Sequence, residues 1–396
     1  MKRNVERIPV PRTYKIQVLP GDGIGPEVIQ ESVEILEIVS NGIPGLSLSF
    51  HEFPCGGKYY LETGCEWPGE AEVFSKQEAD AILLGAVGWE KTPGEPVRRD
   101  DGQLAGAAVV LGQRRELELY ANMRPVKLYP GVPTPLADKQ PKDIDFVIIR
   151  ENTEGLYAGI GKHYGEGERE ELAIDVRPIS RLGSERVIRY AMSLALKRGR
   201  GAPSDQKKRV TCVDKSNVLI GDQLFRRVFV ELTQQFPKII PDYAYIDAWT
   251  MWCVRRPEYY NVVVTPNMYG DIISDLGAGI QGGMGVAAGG NIGDLHAMFE
   301  PIHGSAPKHA GKRRANPIAA ILAGKMMLEW LGERHQDQKA KIAASVIEAA
   351  VMELLGEEQI RTYDLCVGRY AHIKPSTTKQ VGKAIRQRIQ QQLEEL

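Results

Sequence analysis

The sequence predicts an α/β protein built on a largely parallel sheet. Short apolar runs rich in β-branched residues recur along the chain, and helix-period segments follow several of them. Strands covered on both faces read as near-continuous apolar runs, which is how these read. The first run, residues 14–19, enters the glycine-rich turn Pro20-Gly-Asp-Gly-Ile-Gly-Pro-Glu27. Residues 28–39 then carry apolar side chains at 28, 29, 33, 35, 36 and 39, a helical period. Pro26 suits the first turn of that helix, where a missing N–H costs nothing. Further strands are expected at 81–84, 146–149, 210–213, 244–246 and 262–265, with helices over 184–197 and 221–236. Pro and Gly cluster at 130–135, the signature of a crossing between domains or of a rigid loop. Glycine is dense again from 277 to 293. Residues 379–396 carry apolar side chains at 381, 385, 389 and 393, the pattern of a surface amphipathic helix.

Length and composition bound the function. The 396 residues suffice for two to three domains and a sizeable core. Lys plus Arg is 50 against Asp plus Glu 51, so no basic excess exists to hold nucleic acid without specificity. Aromatic residues are 7%, too few for a base-stacking platform. Cys55, Cys65, Cys212, Cys253 and Cys366 are odd in number and lack CxxC spacing, as in a reduced, cytoplasmic protein. The charged start, residues 1–7, is followed by no apolar h-region, and no run reaches membrane-span length. A soluble protein without membrane or nucleic-acid partners is expected.

A literal GxGxxG at Gly277, Gly279 and Gly282 follows residues that look helical, 271–276, whereas a dinucleotide fingerprint needs a strand before it. The early turn lacks the third glycine of that fingerprint, and no GxxxxGK[ST] occurs, so a Rossmann fold is not expected. Chemistry concentrates elsewhere. Asp271 and Asp275 lie at i and i+4 and would share one helix face about 6 Å apart. With Asp247, which follows the 244–246 strand, they form an oxygen-donor set suited to Mg²⁺ or Mn²⁺, although two such aspartates are commonly a solvated face. Arg114, Arg115, Arg124 and Arg150 recur at element ends, and a guanidinium fork matches a carboxylate. Tyr157 and Lys215 are a possible proton-transfer pair. Residue types alone reach no farther than an oxygen-ligand metal, carboxylate handles and an acid–base pair.

At these residues the chain resembles the β-decarboxylating dehydrogenases, the isocitrate and 3-isopropylmalate dehydrogenase family. Six segments carry the likeness, in order: 19–27, 122–125, 149–157, 214–217, 269–275 and 299–307. The resemblance implies an isopropylmalate dehydrogenase-like two-domain fold with a mostly parallel mixed sheet. Residues 1–119 with 282–396 would form the cofactor-side domain, and 120–281 the dimer-side domain. It implies oxidation of a 2-hydroxy acid bearing a 3-carboxylate by NAD or NADP, followed by decarboxylation. Asp271 and Asp275 would hold Mg²⁺ or Mn²⁺ together with Asp247, donated by the second subunit of a homodimer. Lys215 of that subunit would act in removing the hydroxyl proton, and Tyr157 would protonate the enolate carbon. Arg114, Arg124 and Arg150 would clamp the di- or tricarboxylate substrate, with Asn217 beside the site. Glu300, His303, Gly304, Ser305, Ala306, Lys308, His309 and Asn316 would meet the nucleotide.

The chain departs from its relatives where they choose substrate. Isocitrate enzymes carry a Ser and an Asn at the positions of Ala108 and Val110, so an isopropyl group fits better than an unpartnered γ-carboxylate. The Glu of isopropylmalate enzymes stands here as Ala107; segment 151–155 is closer to isocitrate, homoisocitrate and tartrate/D-malate relatives, and 130–136 resembles the tartrate/D-malate branch. 3-Isopropylmalate is the leading expectation, those acids and an unusual malate analogue the alternatives. A noncatalytic regulatory subunit is a further one, against which every catalytic residue is present. Lys308-His309 and Tyr363 partly match the NADP pattern, but Val367 replaces its Arg.

Overall fold

The computed structural model of the protein describes residues 12–166 and 169–395; the charged stretch 1–7 and Leu396 lie outside them. β1 (Thr13–Gly21) passes through the glycine turn into α1 (Gly25–Gly42), and β2 (Ser47–Glu52) follows. α2 (Gly57–Thr63) and α3 (Gly69–Gln77) precede β3 (Ala81–Ala86) and a small hairpin, β4 (Glu90–Thr92) with β5 (Glu95–Pro96). A π-helical turn, Ala108–Gly112, runs into α4 (Gln113–Glu116). Then come β6 (Ala121–Lys127), β7 (Asp145–Glu151) and an exposed hairpin of β8 (Gly161–Glu166) and β9 (Arg169–Asp175). Helices and strands alternate through α5 (Arg181–Lys197), β10 (Arg209–Asp214), α6 (Ile220–Thr233), β11 (Ile240–Tyr245), α7 (Ile246–Arg255), β12 (Val262–Thr265) and α8 (Asn267–Ile280). β13 (Ala288–Ile292), β14 (Ala297–Pro301), α9 (Ile318–Arg334), α10 (Gln338–Gly356) and α11 (Thr378–Glu394) complete the order.

Ten strands form one sheet in the order β11-β10-β12-β7-β6-β13-β14-β3-β1-β2. Six neighbour pairs are parallel and three, β7–β6, β6–β13 and β13–β14, are antiparallel. The antiparallel pairs all lie at the centre, so the two parallel flanks run in opposite directions. The five strands from β11 to β6 come from residues 120–281, and the other five from the remainder of the chain. The α/β class and the mostly parallel, mixed sheet are as expected.

Where local pattern was strong, the elements match closely. Pro26 opens α1, and α1 buries Val28, Ile29, Ile35, Leu36 and Val39. Ser180 caps α5 by accepting from Gly183 N–H. α11 lays Val381, Ile385 and Ile389 on the core. The 244–246 strand needs correction: β11 ends at Tyr245 and Ile246 begins α7, so Asp247 sits in a helical first turn. The 130–135 cluster is a rigid loop, joining the adjacent strands β6 and β7. Arg361 donates to Gly131 O (3.0 Å) and Thr134 Oγ1 to Ile280 O (2.6 Å). Gly277 and Gly279 belong to α8, and a Cβ on Gly277 would lie 2.6 Å from Val126 Cγ2. That glycine permits close helix–sheet approach. α9 carries no clear amphipathic stripe because it is covered by α1, α10, β13 and β14 together.

One buried carboxylate pins the edge of the cleft. Asp22 is 2% exposed and accepts from the backbone N–H of Gly57 (2.7 Å), Lys58 (2.9 Å) and Gly88 (2.8 Å). It therefore ties the turn after β1 to the start of α2 and the loop after β3. Gly21 and Gly23, at φ +75 and +63, allow the turn; a Cβ on Gly23 would collide with Ser305 O. Asp22→Ala leaves three donors unpaired and is expected to lower stability by about 3 kcal/mol, seen as a lower urea midpoint. An unchanged midpoint would remove Asp22 from this role.

Candidate functional site

Three buried arginines converge from separate elements. Arg114 comes from α4, Arg124 from β6 and Arg150 from the penultimate position of β7. They are 6%, 7% and 2% exposed. Burial, joined by the charge of Arg114 and opposed by Asp271, lowers the pKa of Arg150 to about 10. Burial likewise lowers Arg124, opposed by Glu300. Counter-charge comes from two directions. Arg114 Nη2 lies 2.9 Å from Glu300 Oε1 and Arg124 Nη2 lies 3.9 Å from it. Arg150 donates through Nε to Asn267 Oδ1 (2.9 Å) and forms a short ion pair with Asp271.

Asp271 and Asp275 share the face of α8 that looks into this cleft, as their spacing requires. Tyr157, in the short turn Gly155–Ala158, donates its hydroxyl to Asp271 Oδ2 at 2.8 Å and lies under the Arg150 guanidinium. Burial, together with the hydrogen bond and charge of Asp271, raises the Tyr157 pKa, keeping it a proton carrier. Burial also raises Asp275, and repulsion from Asp271 adds to this while Arg124 and Arg150 oppose it. Two carboxylates that repel each other are a donor set that a divalent cation would relieve.

Lys215, Asp247 and Asn217 are not part of this cluster. Lys215 Nζ lies 2.6 Å from Asp247 Oδ1, and that bond holds Asp247 below the usual carboxylate range. Lys215 follows β10 in a loop fixed by two buried carboxylates: Asp222 accepts Lys215 N–H (2.8 Å) and Asp214 accepts Ser216 N–H (2.9 Å). Asn217 is exposed nearby in sequence. Among the described residues no three acidic, His or Cys side chains gather in a metal-binding group, so within one chain Asp247 does not join Asp271 and Asp275. The predicted residues fall in two separate clusters, Lys215 with Asp247 and Tyr157 with Asp271.

The expected nucleotide residues line one loop after β14, except Glu300, which lies in β14 itself, and Asn316. Ser305 O accepts Ile24 N–H at 2.8 Å, docking the loop on the turn after β1. Gly304 is exposed and His303 Nδ1 is 3.0 Å from its carbonyl, while the buried Nε2 has no protein partner. Burial lowers the His303 pKa, leaving a neutral ring with one nitrogen for a ligand. This orphaned atom and the open Gly304 backbone fit a nucleotide. Ala306 adopts φ +41, and Lys308 is exposed. His309 stacks on Tyr363 at 5.8 Å and accepts from Arg314 Nε (3.0 Å). Asn316 Nδ2 donates to Asp364 Oδ2 (3.0 Å). Glu300 instead faces the arginines. Burial opposes its ionisation, but Arg114, Arg124 and the Asn291 amide outweigh that and hold it below the usual carboxylate range.

Sequence reasoning singled out Ala107, Ala108 and Val110 but missed the polar residues around them. The segment before Arg114 is a π-helical turn with Val109 buried and Ala107, Ala108, Val110 and Leu111 half-buried. Glu66, 8% exposed and paired with Arg99 (3.1 Å), accepts Gly106 N–H behind that turn. Asn122, Asn152 and Asn291 form a buried amide cluster beside Glu300. Asn122 and Asn152 sit in segments that had drawn notice, but a lone Asn carries no local signal.

Because the folded-state pKa of Glu300 is depressed, the stability it contributes is present above the ordinary carboxylate range and lost as pH falls through and below it. Glu300→Gln is therefore expected to be less stable than the parent at neutral pH, with the difference shrinking in acid. Urea midpoints measured across that range check this; a constant difference would contradict it.

A family model described as isocitrate/isopropylmalate dehydrogenase matches residues 15–385. A 3-isopropylmalate dehydrogenase of Thermobifida fusca is 42% identical over 385 residues, covering 96% of this chain and 99% of that protein. One from Leifsonia xyli subsp. xyli is 42% identical over 347 residues, covering 86% and 92%. The crystal structure of an isocitrate dehydrogenase from Methylococcus capsulatus superposes with a TM-score of 0.80 at 35% identity, covering 95% of this chain and 99% of that one.

Proposed function

The chain belongs to the isocitrate/isopropylmalate dehydrogenase family, and from that premise we propose that it oxidises and decarboxylates 3-isopropylmalate or a close alkylmalate. The observation that carries this reading is the convergence of Arg114, Arg124 and Arg150 on the Tyr157–Asp271–Asp275 cluster. The guanidiniums bind the two carboxylates and fix the hydroxyl-bearing carbon. Asp271, Asp275 and Asp247 would hold Mg²⁺ or Mn²⁺, which would supply positive charge to offset the negative charge that develops on the substrate oxygens. NAD or NADP supplies the hydride acceptor. Lys215 removes the hydroxyl proton, and Tyr157, kept protonated by its surroundings, returns a proton to the carbon that loses CO₂.

Apolar side chains in the π-helical turn support the alkyl substituent. Ala108 and Val110 offer no donor to a third carboxylate, and burying one without a partner would cost roughly several kcal/mol. Isocitrate, homoisocitrate and tartrate/D-malate fit this surface less well. For the nucleotide, NADP is the better reading. Lys308, Lys312 and Arg314 surround His309 and, after burial, lower its pKa, a cationic environment suited to a 2′-phosphate.

The two separate clusters support a homodimer in which Lys215 and Asp247 of one copy complete the Tyr157–Asp271 cluster of the other. Exposed apolar side chains are frequent within 120–281, among them Ile160, Leu172, Leu182, Ile220 and Met251. This supports assigning 120–281 as the dimer-side domain and the remainder as the cofactor-side domain. Among the described residues no helix is long and apolar enough to cross a membrane, and all five cysteines are unpaired, which supports a cytoplasmic location.

Assays with Mg²⁺, each nucleotide and a panel of substituted malates test the reading. Reduced nucleotide is expected with 3-isopropylmalate above the others, and none from the whole panel would reject it. Tyr157→Phe and Lys215→Ala are each expected to lose turnover. Unfolding them together and refolding the mixture should restore activity, because each mixed dimer contains one intact site; no recovery would refute sharing. Lys308→Asp should shift preference toward NAD⁺, and an unchanged nucleotide ratio would exclude Lys308 from the choice.

A further inference from the structure

Asn291 lies in β13 with no solvent exposure, and every hydrogen-bonding position of its amide is used. Its Oδ1 accepts from Asn122 Nδ2 (2.7 Å) and Asn152 Nδ2 (2.9 Å). Its Nδ2 donates to Glu300 Oε1 (2.9 Å) and Met298 O (3.3 Å). The neighbours leave no freedom to flip it. Asn122 must present its own oxygen to Arg124 Nε (2.6 Å), and Asn152 donates also to Leu119 O (2.9 Å). A reversed Asn291 would face two amide donors with a third and turn its oxygen on a carboxylate.

We propose that Asn291 is a positioning residue that joins the substrate arginines to Glu300 across the centre of the sheet. The chain of contacts is continuous: Arg124 to Asn122, Asn122 to Asn291, Asn291 to Glu300, and Glu300 to Arg114. Asn122 and Asn291 are directly opposite in the antiparallel β6–β13 pair, the junction between the 120–281 strands and the rest of the sheet. One amide thus fixes Arg124, from one side of that junction, relative to Arg114 and Glu300, from the other. Asn291 touches no substrate and acts only through these partners. A polar amide is required because it must accept from one side and donate to the other; Leu does neither and a carboxylate reverses the second.

The inference rests on the dehydrogenase reading for its kinetic consequences. Asn291→Leu is expected to lose on the order of a hundredfold in kcat/KM for the malate, carried mainly by KM, since displaced arginines weaken carboxylate binding. Kinetic constants within about twofold of the parent, with only a lower Tm, would reduce Asn291 to a structural residue and overturn the proposal. Asn291→Asp, nearly isosteric, covers the case in which the Leu variant does not fold. Protonated, the new carboxyl can still donate to Glu300; ionised, it faces that carboxylate, with Arg114 and Arg124 the cations beside the pair. Its KM should therefore rise with pH through a transition absent from the parent, and an unaltered pH profile would contradict the role. Should the parent turn over no malate with either nucleotide, the dehydrogenase reading fails on its own. The positioning claim then rests on a crystal structure of either variant, where displaced Arg124 and Glu300 side chains support it and unmoved ones overturn it.

Discussion

Burying three guanidiniums in one cleft costs hydration three times over and sets like charges against one another. Arg114, Arg124 and Arg150 are tolerated because Glu300 and Asp271 supply counter-charge from opposite sides. Much of the surrounding structure follows from that requirement. α8 must present Asp271 to the end of β7, and β14 must present Glu300 to α4. Within the cluster the three guanidiniums face three carboxylates, Glu300, Asp271 and Asp275.

The topology explains how such a cluster is assembled. Two parallel flanks of opposite direction meet at the antiparallel strands β6 and β13. Residues on these central strands can reach groups carried by both flanks. Asn122, Arg124 and Asn291 occupy those positions, and Arg150 stands opposite Asn122 in the β6–β7 pair. A seam of this kind needs polar groups that are fully satisfied, because an unpaired buried amide costs about 1–3 kcal/mol. The asparagine cluster meets that demand while holding charged side chains in place.

Lys215 and Asp247 are bound by a different economy. Their ion pair is open to solvent, with Asp247 67% exposed, and so contributes little to stability. The rigid part is the loop beneath them, where Asp214 and Asp222 are both fully buried. An exposed pair on a fixed base suits a group offered to another surface more than one that completes its own chain's cleft.

The sequence by itself determined the α/β class, most of the parallel strands, α1, α5, α6 and α8, and the shared face of Asp271 and Asp275. These depend on periodicity, β-branched runs and i,i+4 spacing, all properties of neighbours along the chain. It also excluded a Rossmann loop at Gly277, because the residues before it are helical. α9 stayed illegible since a helix covered on all sides has no polar stripe to mark it. The central strands β6, β13 and β14 were hidden for a related reason: their polar residues, Asn122, Arg124, Asn291 and Glu300, break the apolar pattern that identifies a buried strand. Only the tertiary structure decided that those four side chains meet and that Glu300 faces arginines. It also decided that Asp247 stands with Lys215, apart from the other two aspartates. Each of these is a contact between groups far apart in sequence, fixed by strand order and by the balance of buried charge.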